Sequence, residues 1–151
     1  MRLKSLILTH VISPILIGGF IYISFRSLSL RLFKWLDALG LMTTSLSIRN
    51  FFHPFKKDLP NWVYFSLPDG LWVYSFSSAI MIMWRNNYEK AKYWLLIPFF
   101  LGIIIEIAQG LKIIRGTFDI IDLIFSIIAL LSSILIINYK IKQNEKKKLF
   151  N

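Results

Sequence analysis

Apolar side chains run along this chain in four long blocks separated by short polar stretches. The first, residues 6–25, holds 20 residues without a charge, enough to cross a hydrocarbon core of about 30 Å. The others cover 62–84, 93–113 and 118–138. Trp62 and Trp84 sit at the two ends of the second block, where indoles favour the membrane–water boundary. Pro68-Asp69-Gly70 is expected to interrupt that helix. Pro14 and Gly18-Gly19 are expected to bend the first helix or to let a neighbour approach closely. Between the first two blocks the period changes. Arg31, Lys34 and Asp37 fall on one helical arc, and Leu32, Leu36 and Leu39 on another. That spacing predicts an amphipathic helix over 28–48, lying flat in the headgroup plane with Trp35 at the interface. The polar run Thr43 to Ser47 is expected to end it, and the prolines of the basic stretch 51–60 argue against helix there. The pattern therefore predicts an all-α fold: an integral membrane four-helix bundle with an interfacial helix between helices 1 and 2. One transmembrane domain spans 1–138, and a basic, unstructured cytoplasmic tail spans 139–151.

Composition agrees. Apolar residues make up 56% of the chain, above the roughly 45–50% of an ordinary soluble domain. With no cysteine there is no disulfide framework and no thiolate metal site. Arg2 and Lys4 before the first block raise a signal peptide, but no small-x-small cleavage pattern follows and the block reads as an uncleaved helix. The net charge of +10 comes largely from residues flanking apolar runs. It indicates contact with anionic lipid headgroups rather than nucleic acid, since no basic-plus-aromatic soluble module is present. With four crossings and the termini inside, ten basic residues lie inside and eight outside. This favours an N-in, C-in arrangement, opposed by the basic residues of 26–61; a 28–48 segment that crosses instead of lying flat would change the parity and move the N-terminus outside.

Against this background the acids stand out. Asp69, Glu106, Asp119 and Asp122 lie in or at the lip of apolar blocks, where a carboxylate costs about 2.5–3.5 kcal/mol on insertion scales. Alternating helices bring the start of 62–84, the end of 93–113 and the start of 118–138 to one membrane face. Glu106 with Gln109 and Asp119 with Asp122 are i, i+3 pairs, each on one helical face. Ser126 extends the second stripe one turn. Arg115 lies in the link between. Plain structural roles compete: Asp119 as a helix-start acid, Asp69 as a helix cap, Glu106 in an ion pair with Arg115 or Lys112, Gln109 as interhelical glue. Four acids against two nearby cations still leave carboxylates that need protons, water, a metal or a ligand's donors. His10, remote from the cluster, reads as structural. His53, without a second histidine nearby, does not suggest zinc.

The stretch 105–122, IEIAQGLKIIRGTFDIID, resembles the signature of VanZ-like membrane proteins, in which a Glu-x-x-Gln helix end is followed by an Arg and an Asp-x-x-Asp helix start. The resemblance covers roughly 62–138 and assigns Glu106, Gln109, Arg115, Asp119 and Asp122 to that motif. Asp69, in Leu-Pro-Asp-Gly-Leu-Trp, resembles the acidic residue many members carry at the preceding crossing, without the Lys-x-x-His pattern usual there. The family's namesake is tied to teicoplanin resistance. What the resemblance implies is a bacterial plasma-membrane protein whose acidic–arginine pocket, at the outer face, binds a lipid-linked envelope molecule, a glycopeptide or a membrane-protein partner. The alternatives are an enzyme acting on a phosphorylated envelope lipid, or a proton-coupled carrier, for which four helices would require a homo-oligomer. Whether the chain is an enzyme stays open. No cofactor is expected beyond the alternative of a Mg²⁺ held between carboxylates and a substrate phosphate.

Overall fold

The computed structural model describes residues 3–113 and 118–149. Every described element is helical: α1 (Leu3–Ile7), a π-helical turn Leu8–Ile12, α2 (Ser13–Phe25), α3 (Arg31–Ala38), α4 (Met42–Phe52), a 3-10 stretch His53–Asp58, α5 (Asn61–Tyr64), α6 (Ser66–Met83), α7 (Tyr88–Gly110) and α8 (Ile120–Leu149). Three helices are long and apolar enough to cross a membrane: Leu3–Phe25, Glu89–Gly110 and Ile120–Gln143. α6 has 18 residues, or about 27 Å, and is the element against which α2, α7 and α8 all pack.

Much of the outer surface is apolar, and part of the interior is polar. Large apolar side chains such as Leu16, Ile104, Ile128 and Leu135 face outward, while Ser66, Ser75, Ser77, Ser78, Ser126, Ser133 and Glu106 are buried. Small side chains let helices approach where lipid offers no hydrophobic drive to pack them. Gly70 shows the effect: a Cβ there would lie 3.2 Å from Phe125 Cβ of α8. At Gly18 a Cβ would lie 2.8 Å from Trp72 Nε1, whereas Gly19 faces open space. So of the Gly18-Gly19 pair, only Gly18 serves close approach. At the far end of the bundle Leu6, Met81, Ile82, Ala91, Leu95 and Ile137 close an apolar cluster.

The π turn marks where the first helix is pinned to α6. Ser75 Oγ donates to the Val11 carbonyl at 2.7 Å, and His10 Nδ1 and Tyr74 Oη lie 2.7 Å apart. Pro14, just after the turn, lacks the N–H a regular helix would use there.

Four boundaries differ from the sequence-based expectation. The helix expected over 28–48 is two helices, broken at Gly40, whose φ of +70° favours glycine. Thr43 to Ser47 does not end a helix but lies inside α4, where Ser45 and Ser47 donate to carbonyls one turn back. Pro68 does not interrupt α6; it sits in the first turn, where its missing N–H costs nothing, and the break falls at Phe65 instead. The segment expected as a loose tail continues α8 as helix to Leu149. Smaller shifts follow from good caps. α7 begins at Tyr88 rather than 93 because the Asn87 side chain accepts the Lys90 N–H, with the Glu89–Lys92 ion pair on the same first turns.

Candidate functional site

The start of α6, the end of α7 and the start of α8 meet at one end of the bundle. Glu106, only 6% exposed, is the hinge of the arrangement. Its Oε2 accepts the backbone N–H of Asp119 at 2.9 Å, tying α7 to the residue before α8. This contact exploits the unpaired amides of a helix start. Asp119 in turn accepts the Ile121 N–H on its Oδ1 at 2.9 Å, the geometry of an N-cap. Asp119 is therefore occupied with structure, the plain role open to a helix-start acid. Asp119→Ala is expected to cost about 0.5–2 kcal/mol, read as a lower unfolding midpoint in detergent, without loss of the carboxyls deeper in the site.

Those deeper carboxyls are Asp122 and Asp69. Asp122 lies one turn into α8, close enough to both Glu106 and Asp69 for their charges to act on one another. Its Oδ1 is buried without a hydrogen-bond partner among the described residues, and such an atom costs about 1–3 kcal/mol in a folded protein. Ser126, one turn on, donates its hydroxyl to the Asp122 carbonyl at 2.9 Å and so does not serve that carboxylate. Asp69 does not cap a helix: it is in the first turn of α6 and makes no side-chain capping bond. It sits where a negative charge is favourable to the helix dipole. Among the described residues the only ion pair is Lys92–Glu89, at the other end of α7. Of the two cations expected as locking partners for Glu106, Lys112 forms no ion pair with it, and Arg115 falls outside the described residues. Lys112 instead takes a positive φ of 58° where α7 ends.

Gln109 is half-buried on the last turn of α7, and its side chain makes no hydrogen bond among the described residues; the interhelical glue role is not seen. Arg115 lies outside the described residues. The structure thus brings together Asp69, Glu106, Asp119 and Asp122 from three stretches of chain. Within the described residues no three such side chains converge closely enough to hold a metal ion.

A cleft at the same end of the bundle is lined by other residues. Arg26, Arg49 and Lys56, with Phe25, Leu30 and Phe65, surround about 270 Å³. In the sequence these three cations stand only as charges between crossings. Arg26 also lies close enough to Asp69 for the two charges to interact. Positive potential reaches the neighbouring His53, whose imidazole is held below its ordinary pKa by burial first and then by Arg49 and Lys56. The signal available in sequence is Arg26, placed directly after an apolar helix, but its partners lie 23 and more residues away.

No family model, no curated protein and no solved structure matches this chain.

Proposed function

We propose that this chain is a VanZ-like protein of the bacterial plasma membrane. It crosses four times, with α6 as the fourth membrane helix, and its acidic niche binds a cell-envelope molecule at the outer face. The ligand is a lipid-linked precursor or a glycopeptide, and the outcome is tolerance of teicoplanin-type antibiotics. One observation carries the reading: Glu106 is bound to the amide that opens α8 while the neighbouring Asp122 keeps a buried oxygen without a partner. Like charges gathered in a poorly solvated place need a positive or hydrogen-donating partner. The ammonium, hydroxyl and amide groups of a glycopeptide or a lipid-linked sugar peptide are such partners. Lipid-facing side chains of α2, α7 and α8 fit residence in the membrane.

Glu106→Gln keeps an oxygen for the Asp119 N–H and removes the charge. In a teicoplanin-sensitive bacterium expressing the chain, this variant is expected to lose the tolerance that the parent confers, at equal protein level in the membrane. Tolerance unchanged by Glu106→Gln and by Asp122→Asn would refute the reading. The second reading, an enzyme acting on a phosphorylated envelope lipid, rests on the proximity of Glu106 and Asp122 as an acid–base pair. Conversion of a polyprenyl phosphate by the purified protein would select it.

A further inference from the structure

The cleft beside the acidic niche has its own chemistry. Three cations from three separate segments converge on it: Arg26 just past α2, Arg49 in the last turn of α4, Lys56 in the 3-10 stretch. None of them forms an ion pair among the described residues. They are held in place by other means. The Arg26 guanidinium lies 4.9 Å from the Phe65 ring centre and 5.1 Å from that of Tyr22. The Lys56 ammonium lies 4.6 Å from Tyr64 and 6.0 Å from Phe65. Arg49 uses one terminal nitrogen for the carbonyls of Ile23 and Arg26, leaving its other donors outside those contacts. Ring faces and carbonyls orient a cation but do not cancel its charge as a carboxylate does. Asp69 offsets Arg26 in part from a distance. The result is a half-buried, pre-aimed triplet of positive charge.

The walls complete the pattern. Phe25, Leu30 and Phe65 give the cleft an apolar side, and the first helix leads from it into the apolar body of the protein. At about 270 Å³ the cleft falls just below the usual range for small-molecule pockets, roughly 300–1,000 Å³. The cleft is half open, so this volume suits a headgroup with the rest of a lipid lying outside it. Multiple guanidinium and ammonium donors around a small space suit a phosphate's three acceptor oxygens. We propose that this cleft binds the phosphate headgroup of an anionic lipid, with Arg26, Arg49 and Lys56 on the phosphate oxygens and Phe25, Leu30 and Phe65 along the start of the acyl or prenyl chain. The site is distinct from the acidic niche and does not depend on its role.

The test uses the full chain purified in a neutral detergent, with lipid binding followed by native mass spectrometry. Phosphatidic acid is expected to bind at one copy per chain, at least tenfold tighter than phosphatidylcholine. Arg26→Gln and Lys56→Gln are each expected to weaken it about fivefold or more, the scale of one basic residue's attraction to an anionic lipid. Lys34→Gln, an exposed cation on α3 outside the cleft, is the control for general charge loss and is expected to bind as the parent does. Arg49 is left intact because α2 depends on it. Glu106→Gln is expected to leave phosphatidic acid binding unchanged, which separates this site from the acidic one. Equal binding of the two lipids, or equal losses in all three cation variants, would overturn the proposal. Displacement by millimolar inorganic phosphate, with no preference between the lipids, would overturn the lipid and identify a soluble phosphate as the ligand.

Discussion

Gly70→Leu is expected to force α6 and α8 apart and to lower the unfolding midpoint in detergent further than loss of the Asp119 cap or of Arg49. Even a Cβ at position 70 would meet Phe125 Cβ at 3.2 Å and the Phe125 carbonyl oxygen at 3.4 Å. A Cβ and a backbone carbonyl cannot swing aside, so the helices themselves must move. These two helices share the most extensive contact in the fold, and overpacking such an interface costs about 1–3 kcal/mol, occasionally more. In a chain of this size that corresponds to a fall of roughly 2–12 °C. The effect also reaches the site. Asp69 precedes Gly70 and Asp122 lies three residues before Phe125, so separating the helices separates the acids. Gly19→Leu, with nothing within 4 Å of its Cβ, is the matched control. A Gly70→Leu protein that melts with the parent would show that the two helices do not meet at this glycine.

Arg49→Ala is expected to be the next most damaging change. Arg49 Nη1 donates to the carbonyls of Ile23, at 3.4 Å, and Arg26, at the end of α2 where carbonyls lack intrahelical partners. A cation there also complements the helix dipole. Removing it leaves unpaired acceptors at about 1–3 kcal/mol. It also releases the segment that α4 and the 3-10 stretch form around the end of α2. Hydrogen exchange should show faster exchange across 42–58 and at the last turn of α2, with little change at the far cluster around Met81 and Ile137. Arg49→Lys should restore part of the protection through its charge. Parent-like exchange in Arg49→Ala would remove the residue from this role.

What can be foreseen from the sequence depends on the distance over which each cause acts. Apolar runs are local, and the three helices long and apolar enough to cross are legible in them. α6 is legible as a segment but not in its boundary. Pro68 suggests a breaker, although a proline in the first turn of a helix breaks nothing. Periodicity predicts one flat helix over 28–48, yet Gly40 inside it is the visible cue for a break. The gathering of Asp69, Glu106, Asp119 and Asp122 follows from alternating helix direction alone. Which acid does what does not. Asp119 capping α8, with Glu106 on the Asp119 amide, depends on the end of α7 reaching the start of α8, which no spacing in the sequence encodes. The cleft is invisible in the sequence for a related reason. Arg26, Arg49 and Lys56 share no spacing, and only the wrapping of 42–58 around α2 brings them together.

The π turn at Leu8–Ile12 acts as a phase correction. Leu6 and Gly18 are both buried, yet twelve α-helical steps would set them about 120° apart around the axis. The additional residue that a π turn accommodates subtracts one step, leaving the two within about 20°. Without it, a helix that turned Leu6 toward its neighbours would rotate Gly18 away from Trp72 and toward the acyl chains. One surplus residue in the backbone thus lets a single rod hold the apolar cluster with one end and the aromatic end of the bundle with the other.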